Sequence, residues 1–151
     1  ERKQNAINTF SKLLSIGAIP VINENDTISV EEIEFGDNDT LSAVVADLVD
    51  ADLLVILSDI DGLYDKDPHK HTSAKLIPVV DKLDDNIISL AEGAGSKHGT
   101  GGMVTKIHAA QIANKAGIDM VIINGNDANH LYELFENKPV GTLFAANGSD
   151  N

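Results

Sequence analysis

The run Gly99-Thr100-Gly101-Gly102-Met103-Val104-Thr105-Lys106 combines residues whose types and spacing can handle a phosphate. Small residues lead into a helical pattern in which Met103, Ile107, Ala110 and Ala113 recur at three- to four-residue spacing. Backbone N–H groups at a helix N-terminus attract anions, and the helix dipole adds to that attraction. Glycine lets a phosphate approach the backbone closely. A lysine one turn into the helix can reach a transferring phosphoryl group as a point charge. The plainer alternative is a Gly-rich surface loop before an ordinary helix, with Lys106 in solvent. The spacing is neither that of a Walker A loop nor that of the dinucleotide-binding Gly-x-Gly-x-x-Gly.

Three further polar clusters carry chemistry. Asn23-Glu24-Asn25-Asp26 follows an apolar run, and its amides and carboxylates can hold the ammonium and carboxylate of a small molecule. A polar turn is the alternative. Gly36-Asp37-Asn38-Asp39 opens a helical pattern. Asp39 reads either as that helix's N-cap or as an acid that faces lysines. Ser58-Asp59 ends another apolar run, where a hydroxyl and a carboxylate can meet a nucleotide or simply stabilise a tight turn. Of the five histidines, His69 and His71 share a polar loop without a further ligand set at useful spacing, so no metal site is assigned to protein side chains. His98 precedes the glycine loop. No cysteine exists, and no serine sits in a nucleophile elbow.

The elements that must position these groups follow from periodicity. A helix is expected over residues 5–15, with Gly17 as its C-terminal cap. Residues 19–22 read as a buried parallel strand. Residues 28–30 and 33–35 read as a small hairpin. Asp39 or Thr40 should cap the next helix, whose apolar stripe is Leu41, Val44, Val45 and Leu48. Strands are expected at 53–57, 76–80 and 119–123, helices at 84–91 and 130–135, and an edge strand at 141–144. The polar turn Asn124-Gly125 ends the strand at 119–123. This alternation predicts an α/β fold, a mainly parallel sheet sandwiched between helices, with ligands at the C-terminal ends of the strands. One domain is expected over residues 1–146, with a disordered tail at 147–151. The opening Glu1-Arg2-Lys3-Gln4, without methionine, is taken as the start of a piece of a longer chain.

Charge is unevenly spread. Net charge is −13, from 24 acids and 11 bases. Thirteen acids and no Lys or Arg lie between Leu13 and Asp65, so the whole imbalance sits in that stretch. Such a surface repels nucleic-acid phosphates and anionic lipid, and suits ammonium groups, lysines or Mg²⁺. Neither nucleic acid nor membrane is therefore expected as a partner. No apolar run approaches the ~20 residues that span a bilayer. The absence of cysteine fits a cytoplasmic location.

Taken together and in order, INEND at Ile22–Asp26, GDNDTLSA at Gly36–Ala43, LSDIDGLYDKDP at Leu57–Pro68 and GTGGMVTKIHAA at Gly99–Ala110 resemble the amino acid kinase superfamily, and within it the glutamate 5-kinase branch. The resemblance covers about residues 5–144. It implies an amino acid kinase-like fold that lacks the family's N-terminal third. It implies ATP and Mg²⁺ as cofactors, and transfer of the γ-phosphoryl group to the side-chain carboxylate of L-glutamate, towards proline. It places Asp26 and Asn38 on glutamate, with Asn23 and Asp37 beside them. Ser58 and Asp59 fall on the nucleotide, and Thr100, Gly101, Gly102, Met103, Val104, Thr105 and Lys106 around its phosphates. Asp39 and Lys106 become the catalytic pair, with Asp39 orienting lysines. Feedback by proline and a homo-oligomer belong to the same expectation. The alternatives are a superfamily member acting on aspartate, acetylglutamate, carbamate or UMP, or a sensor that binds ATP or an amino acid without turnover.

Overall fold

The computed structural model describes residues 2–23, 37–93 and 102–146. Helix α1 (Arg2–Ser15) begins three residues earlier than its apolar stripe requires, and Gly17 at φ +76° ends it. Leu14 and Leu13 carbonyls accept from Gly17 and Ala18 N–H groups at 3.0 Å each, the return expected of a left-handed glycine cap. Helix α2 (Asn38–Val49) leads into strand β1 (Leu53–Ser58). Strand β2 (Val79–Val80), helices α3 (Asp85–Gly93) and α4 (Met103–Lys115), strand β3 (Asp119–Asn124), helix α5 (Asn129–Phe135) and strand β4 (Thr142–Phe144) follow.

The strands lie in the order β1-β3-β4-β2. The β1–β3 and β2–β4 pairings are parallel, and β3–β4 is antiparallel. Alternate residues of the strands share a face. Leu54, Ile56, Met120, Ile122, Val80 and Phe144 turn to one side, where Ala43 and Ala46 of α2, Ala91 of α3, and Ile107, Ala109, Ala110 and Ala113 of α4 complete the main core. The other face is covered less fully. Val121 and Ile123 are buried there, yet Leu57 is 54 % exposed.

Several expectations need correction. Residues 19–22 form no strand. Ile19 is 89 % and Val21 96 % exposed, because a strand exists only through a paired neighbour and no described segment pairs with this one. The strand expected at 76–80 shrinks to Val79–Val80. Pro78 has no N–H to donate to a ladder. Before it, Leu76 makes an isolated bridge with Tyr64, and Ile77 N–H donates to the Leu63 carbonyl at 2.8 Å. β4 is an interior strand rather than an edge, since β2 pairs on its far side. The start of α2 also differs. Asp37 is its N-cap, not Asp39 or Thr40, and accepts from Thr40 N–H at 2.7 Å. The hairpin placed at 28–35 and the tail at 147–151 lie outside the described residues.

Gly141, placed by sequence inside that last strand, instead precedes it at φ +68°. A Cβ there would collide with the Ile122 carbonyl, so the crossing from α5 into β4 requires glycine. No described helix is long and apolar enough to cross a membrane.

Candidate active site

The first turns of α2 and α4 meet. Because Asp37 caps α2, the Asp39 carboxylate is available to another element. Its Oδ2 accepts from Lys106 Nζ at 3.1 Å and from Thr105 Oγ1 at 2.7 Å. The Lys106 and Asp39 side chains are 9 % and 16 % exposed. A lysine is rarely this buried unless a carboxylate offsets the desolvation of its charge. Thr105 Oγ1 also lies 2.7 Å from the Gly102 carbonyl. Its one hydrogen serves one acceptor at a time, and the ionised carboxylate is the stronger.

Helix α4 enters this cluster through Gly102, an extended N-cap that makes no side-chain capping bond. The helix's early N–H groups therefore stand at an end carrying partial positive charge. Met103, Val104, Thr105 and Lys106 occupy that first turn. Thr100 and Gly101 lie outside the described residues, as does Asp26.

A cleft of about 460 Å³ opens on the same turn of α2, lined by Ile22, Asn23, Asn38, Leu41, Ser42 and Val45. Asn23 and Asn38 thus line one cleft although fifteen positions separate them in sequence. The apolar Ile22, Leu41 and Val45 among its lining residues offer surface against which a short aliphatic chain can pack. Asp37 is not among the lining residues; both its carboxylate oxygens are engaged by Thr40, Oδ1 by the backbone N–H and Oδ2 by the hydroxyl at 3.0 Å.

Ser58 and Asp59 sit in a second polar cluster at the C-terminal ends of β1 and β3. The register sets Ser58 opposite Asn124. Ser58 Oγ donates to Asp59 Oδ1 at 3.2 Å, and Gly125 N–H donates to the Ser58 carbonyl at 2.7 Å. Asp61 and Asn124, polar residues at the strand ends where ligands are expected, build the network around them together with Tyr64 and His130, which the sequence did not single out. The Asp61 carboxylate accepts from Asn124 Nδ2 at 2.8 Å and from Tyr64 Oη at 2.9 Å. Those two donors, the amide first, hold the Asp61 carboxyl below its usual value against the opposing effect of burial, with His130 helping. Burial and the bond to Asp61 push Tyr64 up. His130 Nδ1 donates to the Asn124 carbonyl at 2.9 Å. That carbonyl is the main cause raising the imidazole above 6.5, with Asp127, Glu133 and Asp61 adding to it.

Thr142 ties the loop after β1 to the sheet. It is fully buried, accepts from Leu63 N–H at 2.9 Å and donates to the Ile77 carbonyl at 2.7 Å. In sequence it looked like any β-branched strand residue.

A family model described as the amino acid kinase family matches residues 1–124. The chain belongs to the amino acid kinase family. Glutamate 5-kinase of Caldanaerobacter subterraneus subsp. tengcongensis is 55 % identical over 144 residues, covering 95 % of this chain and 39 % of that protein. Glutamate 5-kinase of Clostridium tetani is 55 % identical over 145 residues, covering 96 % of this chain and 54 % of that one. The chain thus spans roughly two fifths to just over half the length of these relatives. Among solved structures, an isopentenyl phosphate kinase superposes with a TM-score of 0.67 at 21 % identity, over 92 % of this chain and 51 % of its own. UMP kinase from Ureaplasma parvum superposes at 0.62 and 16 % identity, over 92 % of this chain and 52 % of its own. These similarities show that the fold is that of the amino acid kinases.

Proposed function

We propose that the protein carrying this sequence transfers the γ-phosphoryl group of ATP to the side-chain carboxylate of L-glutamate, giving γ-glutamyl phosphate on the way to proline. One observation carries most of the weight: the buried Asp39–Lys106 pair joins the first turn of α4 to the turn of α2 that lines the Asn23–Asn38 cleft. The glutamate 5-kinases that are 55 % identical to this chain support glutamate as acceptor.

The chemistry suits that arrangement. A carboxylate is ionised at neutral pH, so the acceptor needs no general base. A carboxylate oxygen attacks the γ-phosphorus, an O–P bond forms, the bond to the bridging oxygen breaks, and ADP leaves with that electron pair. The protein's work is alignment and neutralisation of charge. In this reading Lys106 stabilises the transferring group, and Asp39 holds the lysine in place. Asn38 and Asn23, with Asp26, bind glutamate. Ser58 and Asp59 hold the nucleotide, and residues 100–106 cradle its phosphates. Among the described residues no cluster of three acidic or imidazole side chains could hold a metal ion. Mg²⁺ in kinase sites is held by one or two carboxylates together with substrate phosphates, and would supply charge neutralisation on the transferring group.

The test is phosphorylation by the full-length protein with MgATP and L-glutamate, trapping the acyl phosphate as its hydroxamate with hydroxylamine. Asp26→Ala should chiefly raise the KM for glutamate, and Lys106→Ala should chiefly lower kcat. Turnover of UMP, aspartate, acetylglutamate or carbamate with none of glutamate would move the assignment within the family. Binding of ATP without release of ADP would make the protein a sensor.

A further inference from the structure

Helices α2 and α4 pack against one another. Their fully buried apolar residues are mostly small: Ala43 and Ala46 on α2, and Ala109, Ala110 and Ala113 with Ile107 on α4. Alanine allows close approach and offers little ridge to lock into a facing groove. Directional polar contacts at the N-terminal ends of the two helices therefore help to set their register. Asp39 supplies two contacts there, to Thr105 and Lys106. A third lies just beyond, where His108 Nδ1, two residues after Lys106, stands 3.3 Å from the Oγ1 of Thr40, the residue after Asp39.

The direction of that third bond follows from its neighbours. The Thr40 hydroxyl lies 3.0 Å from Asp37 Oδ2, an acceptor, and gives its one hydrogen there. It can then only accept from His108. The imidazole must carry hydrogen on Nδ1, so the chain runs from His108 through Thr40 to Asp37. Thr40 is buried, whereas the histidine lies at the surface and covers the hydroxyl from outside.

We propose that His108 is a positioning residue: by donating from Nδ1 to Thr40 it holds the first turn of α2, and with it Asn38 and Asp39, in register with Thr105 and Lys106. The consequence for turnover rests on the kinase reading above. Loss of the latch lets α2 shift along α4, which displaces the acceptor-binding Asn38 while the phosphate-facing turn of α4 stays. The acceptor should therefore suffer and the nucleotide should not.

Two arms test this on the full-length protein. In steady-state kinetics, His108→Leu should raise the KM for glutamate about 3- to 10-fold, the span of one neutral hydrogen bond, and leave the KM for MgATP within about twofold. His108→Asn, whose amide nitrogen falls near the place of Nδ1, should restore most of the loss. Thr40→Val should raise the same KM, and adding His108→Leu to it should cost little more. Wild-type KM for glutamate in His108→Leu, or equal changes in both KM values, overturns the proposal. Nitrogen-15 NMR of the imidazole reads the latch without turnover. Nδ1 should be the protonated nitrogen in the wild type, and its signals should move in Thr40→Val. An unprotonated Nδ1, or a spectrum indifferent to Thr40→Val, overturns the latch. If glutamate is not a substrate at all, the kinase reading falls and the NMR arm alone decides.

Discussion

The two polar clusters differ in how they hold their charges. At the ends of α2 and α4, an acid and a lysine from distant parts of the chain meet in a site nearly closed to water. At the ends of β1 and β3, Asp61 and His130 stay close to solvent and lean on neutral partners, a side-chain amide, a phenol and a backbone carbonyl. In the first cluster the fold and the charge pair depend on one another, since neither ion tolerates burial alone. In the second, water can replace any lost partner, so the network tunes protonation and geometry more than stability. Under the proposed function, a phosphoryl-transfer centre would gain from the first arrangement, because charge interactions strengthen as water is excluded. Under the same proposal, a nucleotide platform that must fill and empty would be served by the second.

Asp39→Ala breaks this contrast most severely. It removes the carboxylate from a buried lysine, and should cost about 3 kcal/mol by urea denaturation together with nearly all turnover. A change below about 1 kcal/mol would show that the helix-end cluster is solvated like its counterpart. Thr142→Val comes next. It leaves the buried Leu63 N–H without its 2.9 Å acceptor and should cost about 2 kcal/mol. Amide exchange at Leu63 should quicken in that variant, and unchanged exchange would mean that the tie is not what holds the loop.

The strand-end cluster should announce itself by titration. His130 should show an NMR midpoint above 6.5, and Asp61 one below 3.8. For His130, raised in the folded state, the stabilisation is complete below the unfolded value and fades as pH climbs through the folded one. For Asp61, depressed in the folded state, it is present above the unfolded value and fades as pH falls through the folded one. Ordinary midpoints for both would remove the network. The smallest effect belongs to the ion pair between Lys3 and Asp47, which joins α1 to α2 at 3.3 Å with side chains 69 % and 41 % exposed. Lys3→Ala should change stability by less than about 0.5 kcal/mol, because solvent and salt screen such pairs.

Much of the frame was legible in the sequence. The stripe on α4, the apolar runs of β1 and β3, and the glycine at the end of α1 all depend on near neighbours, and near neighbours are what periodicity reports. The segment at 19–22 misled because four apolar residues look alike whether or not a partner strand covers them. β4 misled because a strand's place in a sheet depends on residues far away. The cap of α2, expected at Asp39 or Thr40, falls on Asp37, since each of these residue types can cap and only the backbone decides which one does.

By itself, then, the sequence determined the α/β class, the main apolar faces, the acidic stretch, the glycine-led entry to α4 and the motifs shared with the amino acid kinases. These are properties of residue type and short-range spacing. Only the tertiary structure decided that Asp37 caps α2 and so leaves Asp39 for Lys106, that Asn23 and Asn38 line one cleft, and that Asp61 and Asn124 join across two strand ends. The cap itself is local, but the groups it and the other two arrangements bring together lie 15 to 67 positions apart in the chain. Residue type says what a side chain can bond to. Which partner it meets is set by how helices and strands pack to bury their apolar faces, and no local pattern encodes that.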